Sequence, residues 1–138
     1  MELDDKTYAR VQKLSKQGDK LVAKKKFDAA VDKYREALEL LPEPATDWSA
    51  ATWLFVAIGD ARFQQRNYEK SVLSFMNATF CPSGIGNPFV HLRLGQCRLE
   101  LGEPDAATDE LMRAYMGGGK EIFSEDNPKY FKHIRKHI

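Results

Sequence analysis

Gly18-Asp19-Lys20-Leu21-Val22-Ala23-Lys24-Lys25-Lys26-Phe27-Asp28-Ala29-Ala30-Val31-Asp32-Lys33-Tyr34-Arg35-Glu36-Ala37-Leu38 places small residues at Gly18, Ala30 and Ala37 around one large residue, Tyr34. The same skeleton returns as Gly59, Ser71, Phe75 and Ala78, and again as Gly95, Ala107, Leu111 and Ala114. In each copy the later residues stand 12, 16 and 19 positions after the glycine. Self-similarity at a fixed offset marks a stacked repeat. Small residues on two antiparallel helices let their backbones approach, and the large residue fills the gap beside them. One such pair cannot cover its own apolar face, so pairs stack on one another.

Periodicity outside the skeleton agrees. Phe27, Ala30, Val31, Tyr34, Ala37, Leu38 and Leu41 recur at helical steps and stop before Pro42. Tyr68, Val72, Phe75, Met76 and Thr79 do the same before Pro82, and Ala106, Ala107, Leu111, Ala114 and Tyr115 before Gly117-Gly118-Gly119. Strand-like alternation is lacking, and proline and glycine fall between the periodic segments. Asn87-Pro88 and Asn127-Pro128 each set a capping amide before a proline suited to a first helical turn, and Asp47 is a further candidate cap. The pattern predicts seven helices, near 4–24, 27–41, 47–65, 68–81, 88–101, 104–117 and 128–137. Glu121–Asp126 reads as an acidic, extended stretch, and Ser83-Gly84-Ile85-Gly86 as a flexible linker.

The skeleton resembles the tetratricopeptide repeat (TPR), a helix-turn-helix unit of about 34 residues. The resemblance implies an all-α, right-handed superhelix of three TPR-like hairpins in a single domain, 1–138. Its repeats fall near 11–44, 52–85 and 88–119, and residues 120–138 form a C-terminal capping helix or one lying across the groove. The sequence departs from the family where its first-helix tyrosine is replaced by Leu21, Arg62 and Arg98, and its tryptophan by Leu14, Phe55 and His91.

In such a fold the first helices line a groove that meets ligands. The family register assigns the groove to Gln12, Ser15, Asp19 and Val22, then Trp53, Val56, Asp60 and Phe63, then Phe89, Leu92, Gln96 and Leu99, with Glu100 beside them. Aromatic anchors in a desolvated groove are what protein interfaces use for affinity. Chaperone-linked TPR domains clamp a terminal carboxylate at positions that here hold Ser15, Asp19, Ala57, Phe89 and Arg93, of which only Arg93 fits. The resemblance therefore argues against chaperone C-terminal tails as ligands. Arg62 and Arg98 occupy equivalent places and are expected to form a ladder beside the groove, facing Glu121, Glu125 and Asp126, a ligand's acids, or solvent.

Composition narrows the partners. The 138 residues carry 21 basic and 20 acidic side chains, a formal net charge of +1, which excludes a broad electrostatic grip on nucleic acid. At 43% apolar and 30% charged, the chain has the means to build an ordinary core. Two cysteines make no disulfide framework, and a reduced, cytoplasmic setting is expected. Met1-Glu2-Leu3-Asp4-Asp5-Lys6 is acidic where a secretory leader is basic, and Ala50–Gly59 is too short to span a bilayer.

A search for chemistry yields no enzyme, metal site or cofactor. The histidines are His91, His133 and His137; the last two lie four apart but lack further ligands at a local spacing. Cys81 and Cys97 have no adjacent base. Gly117-Gly118-Gly119-Lys120 has Glu121 where a phosphate loop needs a hydroxyl, so helix termination explains it better.

The tail Gly119-Lys120-Glu121-Ile122-Phe123 … Asn127-Pro128-Lys129-Tyr130-Phe131 resembles bacterial TPR proteins encoded beside secreted polymorphic toxins, which implies an immunity protein that binds and neutralises a toxin domain. Asn87-Pro88-Phe89 to Leu101-Gly102-Glu103-Pro104-Asp105 is similar to the third repeat of type III secretion chaperones, which implies an extended client peptide in the groove. Either way the partner is a protein.

Overall fold

The computed structural model describes residues 3–138; Met1 and Glu2, the start of the stretch read for a leader, lie outside the described residues. Seven α-helices follow in order: α1 Asp5–Ala23, α2 Phe27–Glu39, α3 Ser49–Gln64, α4 Tyr68–Thr79, α5 Pro88–Glu100, α6 Pro104–Gly118 and α7 Lys129–Ile134. Short 3-10 turns span Ala45–Asp47, Lys120–Phe123 and Arg135–His137, and no strand occurs among the described residues. The expected cap at Asn87 forms, its carboxamide oxygen accepting from the Phe89 and Val90 amides. The Asn127 carboxamide oxygen accepts from the Lys129 amide, but Pro128, not Asn127, takes the N-cap position of α7. Asp47 is not a cap. It lies within a 3-10 turn, Trp48 takes the N-cap position, and the Trp48 indole N–H donates to the Pro42 carbonyl at 2.8 Å, tying down the linker.

Each glycine of the skeleton does the same physical work. A Cβ built on Gly18 would lie 2.5 Å from the Tyr34 ring, on Gly59 2.7 Å from the Phe75 ring, and on Gly95 2.5 Å from Leu111 Cγ. All are closer than carbon atoms can approach, so only a hydrogen fits. Ala30, Ser71 and Ala107 are fully buried in the same seams, and the Ser71 hydroxyl donates to the Gly59 carbonyl at 2.8 Å. The turns repeat as well. Lys25, Arg66 and Gly102, each seven residues after its glycine, take φ values of 60°, 61° and 77°. The next residue's amide then reaches back to the helix end: Lys26 to Leu21, Asn67 to Arg62 and Glu103 to Arg98, at 2.8–2.9 Å.

Within hairpins α1 packs on α2, α3 on α4 and α5 on α6; between them α2 meets α3, α4 meets α5, and α6 meets α7. Three apolar clusters succeed one another along this stack, the last made by Leu92, Leu111, Ala114, Phe123, Tyr130 and Ile134. Contacts thus run from neighbour to neighbour, and the architecture is the all-helical stack of TPR-like hairpins that the repeat implies.

Two segments differ from expectation. Glu121–Asp126 is not extended: Phe123 is buried and draws the chain into a 3-10 turn against α5 and α6. Ser83–Gly86 is not a loose linker. Gly84 is buried with its Cα so close to the Ala78 carbonyl that a Cβ would overlap it, and the Gly86 amide donates to His91 Nε2 at 2.9 Å. Gly117 and Gly118 lie inside α6 and leave room for Pro88 and Ile122.

Candidate functional site

The first helix of each hairpin carries its glycine on the face toward the second helix, and the residues one position after it and six before it lie on a flank about 100–120° round the helix. In the first two repeats this side is open. Tyr8, Gln12, Ser15, Lys16 and Asp19 of α1 face Ala50, Trp53 and Ala57 of α3 across a cleft of about 460 Å³. Trp53 is 58% exposed and Tyr8 52% exposed, and both lie on this one cleft. Gln12 Nε2 donates to the Tyr8 hydroxyl at 2.7 Å, which fixes both at the mouth. At the far end the Tyr34 hydroxyl donates to Asp19 Oδ1 at 2.7 Å. Burial, then this hydrogen bond and the charges of Asp19 and Asp60, hold the Tyr34 hydroxyl well above its ordinary range, so it remains a donor.

Beyond the cleft the floor is occupied by the chain itself. The Arg93 guanidinium lies between two rings, 4.5 Å from the centre of Phe63 and 4.8 Å from that of Phe89. Its Nε donates to Asp60 at 3.0 Å, and one terminal nitrogen donates to Gln96 Oε1 at 2.8 Å and to Asp126 at 3.1 Å. The C-terminal segment closes over the third hairpin, burying Leu92 and half-burying Leu99. Glu100 accepts from the Tyr130 hydroxyl at 2.9 Å and pairs with Lys129. Burial pushes the Glu100 carboxyl up, but the Lys129 and Tyr130 hydrogen bonds and the Lys129 and Arg66 charges outweigh it and hold it below its usual value.

The residues assigned to the groove from sequence therefore separate into three groups. Gln12, Ser15, Asp19 and Trp53 line the open cleft. Asp60, Phe63, Phe89, Glu100 and Arg93 form the polar and aromatic network that receives the tail. Val56, Leu92, Gln96 and Leu99 turn inward: Val56 packs with Val72, Phe75 and Val90, Gln96 is fully buried, and Val22 packs on the first cluster. Tyr8, Lys16 and Ala57 complete the cleft; Tyr8 lies one helical turn before Gln12, so extending the register by a turn finds it.

Arg62 and Arg98 do not flank the groove. Three positions past the glycine, the side chain points to the preceding hairpin's second helix. Arg62 is buried and donates to Asp28 at 2.8 Å and Gln65 at 2.9 Å, while Arg98 meets Glu103 at 3.1 Å and Met76 Sδ at 3.6 Å. The tail acid that finds an arginine is Asp126, and the arginine is Arg93.

Groups with catalytic potential are engaged structurally. His91 is buried, its Nδ1 2.6 Å from Glu110 and its Nε2 accepting from Gly86, so it joins α5, α6 and the 82–87 turn. Burial pushes the Cys97 thiol up to about 11 and raises that of Cys81. His133 Nε2 lies 3.0 Å from the Pro104 carbonyl and 2.9 Å from Thr108. Among the described residues no cluster of three potential metal ligands occurs, and no helix is long and apolar enough to cross a membrane.

Stacked hairpins with one face left as a cleft define the TPR class of fold, and the chain has that fold. No family model matches the sequence, and no curated protein matches it. Solved structures do resemble it. The Yersinia enterocolitica type III secretion chaperone SycD, in complex with a peptide of the translocator YopD, superimposes with a TM-score of 0.71 at 17% identity over 91% of this chain and 89% of its own. The Arabidopsis OM64 TPR domain gives 0.73 at 17% identity over 96% and 99%. The first TPR domain of Spaghetti (RPAP3), bound to the HSP90 peptide SRMEEVD, gives 0.69 at 17% identity over 93% and 92%.

Proposed function

We propose that the chain is a non-enzymatic protein-binding module that seats a segment of a partner polypeptide in the cleft between α1 and α3. The observation that carries this reading is the exposure of Trp53 and Tyr8 along an apolar cleft that no other described residue covers. The tail packs on the third hairpin and leaves the cleft of about 460 Å³ between α1 and α3, a size that suits side chains of an extended segment better than a folded domain. The peptide complexes of SycD and of the Spaghetti TPR domain support the same mode by analogy of fold.

A second reading, an immunity protein that holds a folded toxin domain, draws support from the outer face. Leu73, Met76, Phe80 and Ile85 are exposed there, whereas the equivalent α2 positions hold Asp32, Arg35 and Glu39. A folded partner needs such a broad surface.

Capture of the partner from the native host with the wild-type chain, Trp53→Ala and a Leu73→Ala/Phe80→Ala pair separates the two. Loss with Trp53→Ala alone is expected, with affinity falling by about 2 kcal/mol or more for an aromatic anchor. Loss only with the outer-face pair moves the interface to that face and overturns the cleft.

A further inference from the structure

Two charged residues line the cleft, Asp19 and Lys16, and beside it two further carboxylates, Asp60 and Asp126, meet one cation, Arg93. Asp19 and Asp60 occupy the same place in successive repeats, directly after Gly18 and Gly59. Asp60 shares the Arg93 guanidinium with Asp126, so two carboxylates divide one cation. Asp19 is exposed and has no cationic partner among the described residues; its one hydrogen bond there comes from the neutral Tyr34 hydroxyl to Oδ1. Lys16 lies one turn earlier on α1, lines the same cleft, is exposed, and forms no ion pair among the described residues. Trp53, Ala50, Leu54 and Ala57 supply an apolar wall facing Asp19.

The Tyr34 hydrogen bond orients the Asp19 carboxylate within the cleft, whereas Lys16 forms no ion pair among the described residues, so Asp19 is the ordered charge there. An acidic segment such as SRMEEVD, bound by the Spaghetti TPR domain, would bring like charge to Asp19 and Asp60. A lysine or arginine instead pairs with the Asp19 carboxylate through a charge-assisted bond, while its neighbour lies on the indole of Trp53. Resting on the cleft reading above, we infer that the partner segment presents a cationic side chain to Asp19 beside an apolar side chain laid on Trp53.

The test is selection of a short random-peptide library on the whole chain, followed by calorimetry with synthetic copies of the recovered peptides. The expected result is enrichment of lysine or arginine next to an apolar residue. Affinity should fall about tenfold when that cation becomes glutamine, or when Asp19→Asn is introduced, with no further loss when both are combined. Asparagine retains the oxygen that accepts from Tyr34, and an unchanged melting curve checks that the fold persists. Lys16→Ala should tighten binding, and added salt should weaken it. Recovered peptides that are acidic or indifferent to charge, or equal binding by Asp19→Asn, overturn the cationic anchor while leaving the cleft in place. Recovered peptides that still bind Trp53→Ala at full strength, or a selection with no binder, overturn the cleft reading itself.

Discussion

The guanidinium of Arg93 and the carboxylate of Asp126, 33 residues apart in sequence, meet at 3.1 Å and tie α5 to the turn that precedes α7. Both side chains are largely buried, at 15% and 19% exposure, so the bond is poorly screened by solvent. Asp126→Ala leaves Arg93 with Asp60 as its carboxylate partner and Gln96 as its other acceptor, and is expected to cost about 1–3 kcal/mol in urea denaturation. Amide hydrogen exchange in α7 should accelerate while exchange in α2 stays unchanged. Equal exchange in α7 of both proteins would show that Phe123, Tyr130 and Ile134 hold the tail unaided.

The repeat glycines give a sharper test of packing. Gly59→Ala sets a methyl group against the Phe75 ring, where 2.7 Å is available, and should destabilise the fold by about 1–3 kcal/mol. Phe75→Leu in the same chain should recover part of that loss, since the ring is what collides. Additive losses in the double variant would mean that the helices separate instead of the side chain yielding.

Acid should act through Glu100. Its carboxyl is held below the ordinary 4.5 in the folded chain despite burial, because Lys129 and Tyr130 donate to it and Lys129 and Arg66 lie near. A folded value lower than the unfolded one stabilises the fold fully above about pH 4.5, and the contribution disappears as the pH falls through the lower folded value. The melting temperature of the wild type should exceed that of Glu100→Gln by a constant margin at neutral pH, and the margin should shrink below pH 4.5. A margin independent of pH in that range would remove Glu100 from the acid response.

Both thiols should be silent in the native protein. Burial raises Cys81 and pushes Cys97 up to about 11, so little thiolate exists at pH 8. Ellman's reagent should label both only at the rate of unfolding, and at once in denaturant. Fast labelling of the native Cys97→Ala variant would identify Cys81 as accessible from the Pro82 turn.

How much of this was readable in advance follows from where each side chain points. The glycine contacts with Tyr34, Phe75 and Leu111 follow directly from the 16-residue offset, because helix packing leaves few alternatives at such a spacing. Of the three left-handed turn residues, Gly102 announces itself by composition, but Lys25 and Arg66 carry no such signal and emerge only from the repeat register. Asp19 and Trp53 were legible for the same reason. Leu92 and Gln96 share that register, yet the tail packs on Leu92 and Gln96 is buried beneath Arg93, and the docking of residues 120–138 depends on tertiary contacts that periodicity does not encode. Arg62 and Arg98 show the limit of a position taken alone: one helical step separates the open face from the neighbouring hairpin, and their partners Asp28 and Met76 belong to that hairpin.

The asymmetry of the two ends has a kinetic consequence. At one end α7 and Phe123 seal the last hairpin; at the other, α1 leans on α2 and presents Tyr8 and Gln12 to water. In a stack whose cohesion passes only between adjacent units, loss of order starts where a unit has one neighbour and no lid. The molecule should peel from its N-terminal hairpin, and the helix that peels first carries half of the cleft.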